Sequence, residues 1–79
     1  MDVFAEIKKI IVNQLDCDED IIDPEEFLVG GIAADEWDIV EVVTEIKNVF
    51  GINLTIEDFD DIESMTVGDL VKLVSGRLE

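Results

Sequence analysis

Seventy-nine residues carrying 21 Asp and Glu against five Lys and Arg give a formal net charge of −16. That balance argues against nucleic acid and anionic membrane surfaces as partners and for basic protein surfaces reached by electrostatic steering; the plainer alternative is that acidity only provides solubility. With 48% hydrophobic residues in periodic array, the chain is still expected to fold, as one small domain over residues 1–79 that buries about 60–65% of its unfolded surface.

The periodicity predicts a first helix over residues 2–15. Val3, Phe4, Ile7, Ile10, Ile11 and Leu15 recur at helical spacing, with Glu6, Lys8, Lys9 and Asn13 on the opposite face. Asp2 is placed to cap its start. Asp2 and Glu6 also stand where a signal peptide would be basic, and no apolar run approaches about 18 residues, so a cytoplasmic location without membrane insertion is expected.

Residues 16–33 read as a long acidic connection. Pro24 forbids a regular helix through its centre, and Gly30-Gly31 loosens its end. Ile21, Ile22, Phe27, Leu28, Val29 and Ile32 are too apolar for a free linker and are expected to pin the connection over the core, with one short helical turn around Glu25–Leu28. Asp16-x-Asp18-x-Asp20 matches the first three ligand positions of a calcium loop. The required Gly is Ile21, however, and the bidentate Glu is Phe27, so no metal site is assigned. Cys17, the single cysteine, excludes an internal disulfide and fits a reducing compartment. A lone Cys of this kind is expected to be inert packing rather than an acyl-bearing thiol.

The stretch Ala34-Asp35-Glu36-Trp37-Asp38-Ile39-Val40-Glu41-Val42-Val43, running on to Phe50-Gly51, predicts the central helix. Asp35 is a good N-cap, and Asp38 an imperfect stand-in for the Glu of a capping box. Ile39, Val43, Ile46 and Phe50 form its apolar stripe, widened by Val40, Val42 and Val49. Gly51 is the expected left-handed terminator. Trp37 reads in two ways, as semi-buried packing, the reading favoured here, or as a partner-facing hot spot.

Beyond it, Ile52-Asn53-Leu54 is a brief extended piece. Thr55, echoed by Asp58, caps a short helix with Ile56, Phe59 and Ile62 inward. Thr66, echoed by Asp69, opens the last helix, whose stripe is Val67, Leu70, Val71, Val74 and Leu78. Gly68 weakens that helix unless it permits close packing, and Gly76 suggests fraying before the end. Three longer helices and one short one, with a long connection after the first, make a small all-α bundle.

Asp35-x-x-Asp38-x-Val40-Glu41-x-Val43, preceded by a Gly- and Ala-bearing loop and followed by Phe50-Gly51, resembles the acyl carrier proteins. Lys8-Lys9-Ile10-Ile11 with Gln14-Leu15, Thr55-Ile56-Glu57-Asp58, and Met65-Thr66-Val67-Gly68-Asp69 resemble that family's other helices in order and spacing. The resemblance implies an acyl-carrier-protein-like four-helix bundle with an ordered loop after the first helix. It implies a non-enzymatic carrier of fatty acid, polyketide or related acyl metabolism, a monomer. In that family a Ser at the start of the second helix carries a 4′-phosphopantetheine arm, and acidic residues of that helix dock synthases, transferases and the phosphopantetheinyl transferase. The matching positions are Asp35, Asp38 and Glu41 for the acidic surface, and Val40 near the arm's base. Trp37 replaces a usual Leu, and Lys47 and Asn48 occupy commonly acidic positions.

The Ser position is Glu36. Arm attachment needs a hydroxyl to make a stable phosphodiester, whereas a carboxylate would give a labile acyl phosphate. Thr44 is two turns into the helix, Ser64 lies just before the last helix and Ser75 near the C-terminus, and neither Ser has the flanking Asp-Ser-Leu/Trp context, so no cofactor is expected on this chain; the arm would be expected if position 36 were Ser. Three readings of Glu36 stay open: a carrier whose Ser was exchanged to hold it unmodified, a natural carrier-like protein that keeps the docking surface (Asp35, Glu36, Trp37, Asp38, Val40, Glu41), or simply a good helix-start residue. The reading from another class is a cargo-free acidic interaction or regulatory protein on the same scaffold. Catalysis is not expected: there is no His, no Tyr and no Gly-rich phosphate loop.

Overall fold

A computed structural model describes residues 2–59 and 61–78, the side chain of Ile56 excepted. The first helix, α1 (Val3–Leu15), starts where Asp2 accepts from the Ala5 amide at 3.2 Å, as its sequence predicts. It ends at Asp16, whose φ of 51° and ψ of 49° are left-handed. Asp is one of the few side chains that tolerates this conformation, so the turn needs no glycine. Ile7, Ile10 and Ile11 are buried, while Phe4 is half-buried beneath the Lys8 ammonium, 5.6 Å from its ring centre.

α2 (Glu36–Phe50) begins at Asp35 and ends at Gly51, which takes the left-handed conformation at φ 67° and donates to the Lys47 carbonyl at 2.9 Å. Ile39, Val42, Val43 and Ile46 are buried, and Phe50 is half-buried. Val49 departs from the predicted stripe and lies exposed. It sits ten residues past Ile39, and about 1,000° of helical rotation leaves it some 80° off the inward direction.

α3 (Val67–Leu78) opens with a reciprocal capping box. Thr66 Oγ1 accepts from the Asp69 amide at 3.2 Å, and the Asp69 carboxylate accepts from the Thr66 amide at 3.0 Å. Val67, Leu70 and Val74 face inward; Leu78, expected in the stripe, is exposed at the end. Gly76 does not fray the helix, which runs through it to Leu78. α1 packs against both α2 and α3.

The all-α architecture stands, and among the described residues no strand forms. The fourth, short helix is a single 3₁₀ turn over Ile56–Asp58. Asp58 accepts from the Thr55 amide at 2.9 Å, so the predicted capping pair forms through its carboxylate half. Arg77 in the last turn of α3 donates to Asp58 Oδ1 at 2.8 Å and ties this turn down. Phe59 and Leu54 are buried, and Ile62 is half-buried.

The long connection departs most from its sequence reading. Its short helical turn is 3₁₀ and lies at Glu19–Ile21, not around Glu25–Leu28. There the chain makes a non-helical turn, with Glu26 donating to the Asp23 carbonyl at 2.9 Å, and then pairs with the start of α3: Leu28 donates to the Met65 carbonyl at 3.0 Å, and Val67 donates to that of Glu26 at 2.9 Å. Gly68 donates to the Pro24 carbonyl at 2.8 Å. Leu28 is turned in and fully buried, whereas Phe27, bridged to Thr66, is turned out. Ile22, Leu28, Ile32 and Ala33 join the core; Ile21 and Phe27, expected to pin the loop, are exposed.

Candidate functional site

The site is built on the first two turns of α2. Extended backbone at Asp35 (φ −151°, ψ 177°) aims its carboxylate back over the helix start, where it accepts from the amides of Trp37 at 3.0 Å and Asp38 at 3.3 Å. Two of the four unpaired amides of the helix start are thereby satisfied. Asp38 reaches one residue further back than a capping box requires, accepting from the Ala34 amide at 3.3 Å. The loop before the helix is itself fixed by backbone bonds, Gly30 N–H to the Ala33 carbonyl at 2.8 Å and Ala33 N–H to that of Leu28 at 2.9 Å. Gly31 is required there, since a Cβ at that position would run into the Phe27 carbonyl and the Glu26 carboxylate.

Glu36 is the first residue of α2 and is exposed. Its carboxylate enters no side-chain hydrogen bond or ion pair among the described residues. Trp37 is 73% exposed, which corrects the expectation that it packs in or against the core. The reason is angular. Ile39 faces the core, and two residues turn a helix by about 200°, so Trp37 points away from it. The same geometry brings Glu41, four residues on, to the outer face with Trp37.

Of the residues singled out in the sequence, Asp35, Glu36 and Trp37 line one open hollow with Val29, Ala34 and Glu63. Glu41 is exposed beside it, and Asp38 is half-buried, turned toward Ala34. Val40 belongs to a separate groove with Val43, Thr44, Lys47, Leu54 and Thr55. Val29, which the sequence offers only as a loop-pinning residue, and Glu63, which it does not offer at all, complete the hollow. Glu63 comes from a segment 27 residues beyond Glu36, and nothing local in its sequence signals the approach.

The hydroxyls are placed elsewhere. Thr44 Oγ1 donates to the Val40 carbonyl at 2.9 Å within α2, and Ser64 Oγ donates to Asp61 at 2.8 Å. Cys17 is half-buried just after α1, and its thiol is held above the usual range, first by burial and then by Asp18 and Asp16. That environment suppresses the thiolate on which nucleophilic chemistry depends. Among the described residues no three acidic or thiol side chains converge as metal ligands, and no helix is long and apolar enough to cross a membrane.

The family described as the phosphopantetheine attachment site matches residues 5–74. The chain is 31% identical to an acyl carrier protein of Thermotoga maritima over 77 residues, covering 98% of this chain and 93% of the relative. It is 35% identical to an acyl carrier protein of a Picosynechococcus species over 78 residues, covering 96% of this chain and 91% of the relative. Proteins of this kind are carriers, not enzymes. Helix start, capping acid, terminating glycine and near full-length similarity lead to one conclusion: this chain belongs to the acyl carrier protein family.

Proposed function

We propose that this protein is a carrier-type docking module of acyl metabolism that presents the start of α2 to basic enzyme surfaces and, with Glu36 at the attachment position, does not take the 4′-phosphopantetheine arm. The observation that carries the reading is Glu36 itself, an exposed carboxylate in the first turn of α2, where the family resemblance places the modified hydroxyl. A carboxylate does not fit the group, because it would form an acyl phosphate, a mixed anhydride open to hydrolysis, in place of a stable phosphodiester. Thr44, well inside α2, and Ser64, two residues before the Thr66 cap of α3, are committed to local hydrogen bonds. The docking surface comprises Asp35, Glu36, Trp37, Asp38, Val40 and Glu41. It faces the Lys- and Arg-bearing surfaces of synthases and transferases, and it acts as a cytoplasmic monomer of one domain.

The second reading is a cargo-free interaction or regulatory protein on this scaffold. The exposed Trp37 favours it, since an aromatic beside the attachment position adds contact area whether or not an arm is present. Intact mass after incubation with coenzyme A and a broad-specificity phosphopantetheinyl transferase separates the two. The expected result is no adduct on this chain and one phosphopantetheine on Glu36→Ser. No adduct on either favours the cargo-free reading, and an adduct on the unaltered chain overturns the account of Glu36.

A further inference from the structure

Trp37 is the most exposed large apolar side chain among the described residues, at 73%, and the hollow it lines contains Asp35, Glu36 and Glu63 but no basic residue. Glu41 shares its helix face. The nearest cation along α2 is Lys47, ten residues on and about 15 Å along the axis. We infer that Trp37 is a stacking platform for an arginine side chain of a partner protein, and that it sets the partner's preference for Arg over Lys.

Three considerations select that occupant. Burying the indole in an apolar pocket of a partner would strip water from Glu36 and Glu63 without pairing them, which is costly for charged groups. A guanidinium avoids the penalty, because its flat face covers the indole while its N–H fork pairs with the flanking carboxylates. An ammonium does the second but has no plane to stack. The positive end of α2 opposes any cation, yet it amounts to about half a charge against the carboxylates of Asp35, Glu36 and Asp38. The balance at the helix start is therefore negative.

The inference rests on the docking surface proposed above and adds the chemistry of the group received. Trp37 is the only tryptophan, so its fluorescence reports directly on the platform. The test titrates the intact protein with hexa-arginine and hexa-lysine peptides of equal charge at fixed low salt. The expected result is saturable quenching, with hexa-arginine binding roughly twofold to fivefold tighter than hexa-lysine. Calorimetry on Trp37→Leu then shows the Arg preference reduced, while Trp37→Phe retains part of it. Equal affinity for the two peptides, or an unchanged preference in Trp37→Leu, overturns the stacking platform and leaves the acidic docking surface standing. Binding of neither peptide overturns both. Because Trp37 is outside the core, these variants are expected to keep the circular dichroism and melting temperature of the parent, which excludes misfolding as the cause.

Discussion

At Gly68 two effects oppose each other. In an exposed helix Ala is better than Gly by about 1 kcal/mol, so propensity alone predicts that Gly68→Ala stabilises α3. A Cβ there would stand 3.0 Å from the Pro24 carbonyl oxygen, the same oxygen that accepts the Gly68 N–H at 2.8 Å. That oxygen is backbone in a loop held by further bonds to the start of α3, so it has little freedom to retreat. We predict that Gly68→Ala is net destabilising by about 1 kcal/mol or more in urea unfolding, and that a stabilised variant would refute the close approach. In the sequence this glycine reads first as a weakness in the helix, with close packing as the alternative, and its partner Pro24 is not legible at all. Caps show the same division. Asp2, Asp35, Thr66 and Gly51 were readable because a cap bonds within three or four residues of itself. The outward direction of Trp37 follows from its angle to Ile39 once the inward residue is fixed.

Among the elements, the helices followed from spacing and the connections did not. The 16–33 segment takes its form from pairing with Met65 and Val67, some 40 residues away, and no local pattern encodes that. The turn over Ile56–Asp58 depends likewise on a distant partner, Arg77. Asp58 is held below the usual carboxylate range, first by the hydrogen bond from the Thr55 amide and then by the nearby Arg77 charge. With the folded value depressed, whatever Asp58 contributes is present above the ordinary Asp range and is lost as pH falls through the folded value. Carboxyl NMR titration is expected to place Asp58 below a reference Asp, and Arg77→Met to raise it only in part, because the amide bond remains. Full return to the reference value in that variant would mean that Arg77 alone causes the shift.

For the molecule as a whole, net charge opposes compaction. Two ion pairs are formed among the described residues, Lys9–Glu6 at 3.6 Å and Arg77–Asp58 at 2.8 Å, in a chain of net charge −16. Both are on the surface and contribute little individually. The apolar side chains nevertheless close into one cluster, with a radius of gyration of 11.1 Å against about 12 Å expected for this length. Burial is therefore opposed by self-repulsion that salt screens. Raising sodium chloride from about 10 mM, where screening reaches about 30 Å, to about 0.5 M is expected to raise Tm. A flat or falling Tm would show that the charges are spaced widely enough not to oppose folding. The overall acidity and the family resemblance were legible from the residues alone, whereas the hollow joining Glu63 to Glu36 and Trp37 required the fold.

The backbone bonds from Pro24, Glu26 and Leu28 to residues 65–68 also impose an order on synthesis. A ribosome delivers the connection and all of α2 before it delivers the backbone groups that hold the connection in place. Until Gly68 has emerged, the loop leading into Asp35 has no C-terminal neighbour to lean on, and closing that span means ordering roughly 40 intervening residues. The nascent chain thus shows α1 and α2 as sequence long before it presents them as a surface. The hollow that joins Glu63 to Glu36 and Trp37 takes its final form only after residues 65–68 have been made.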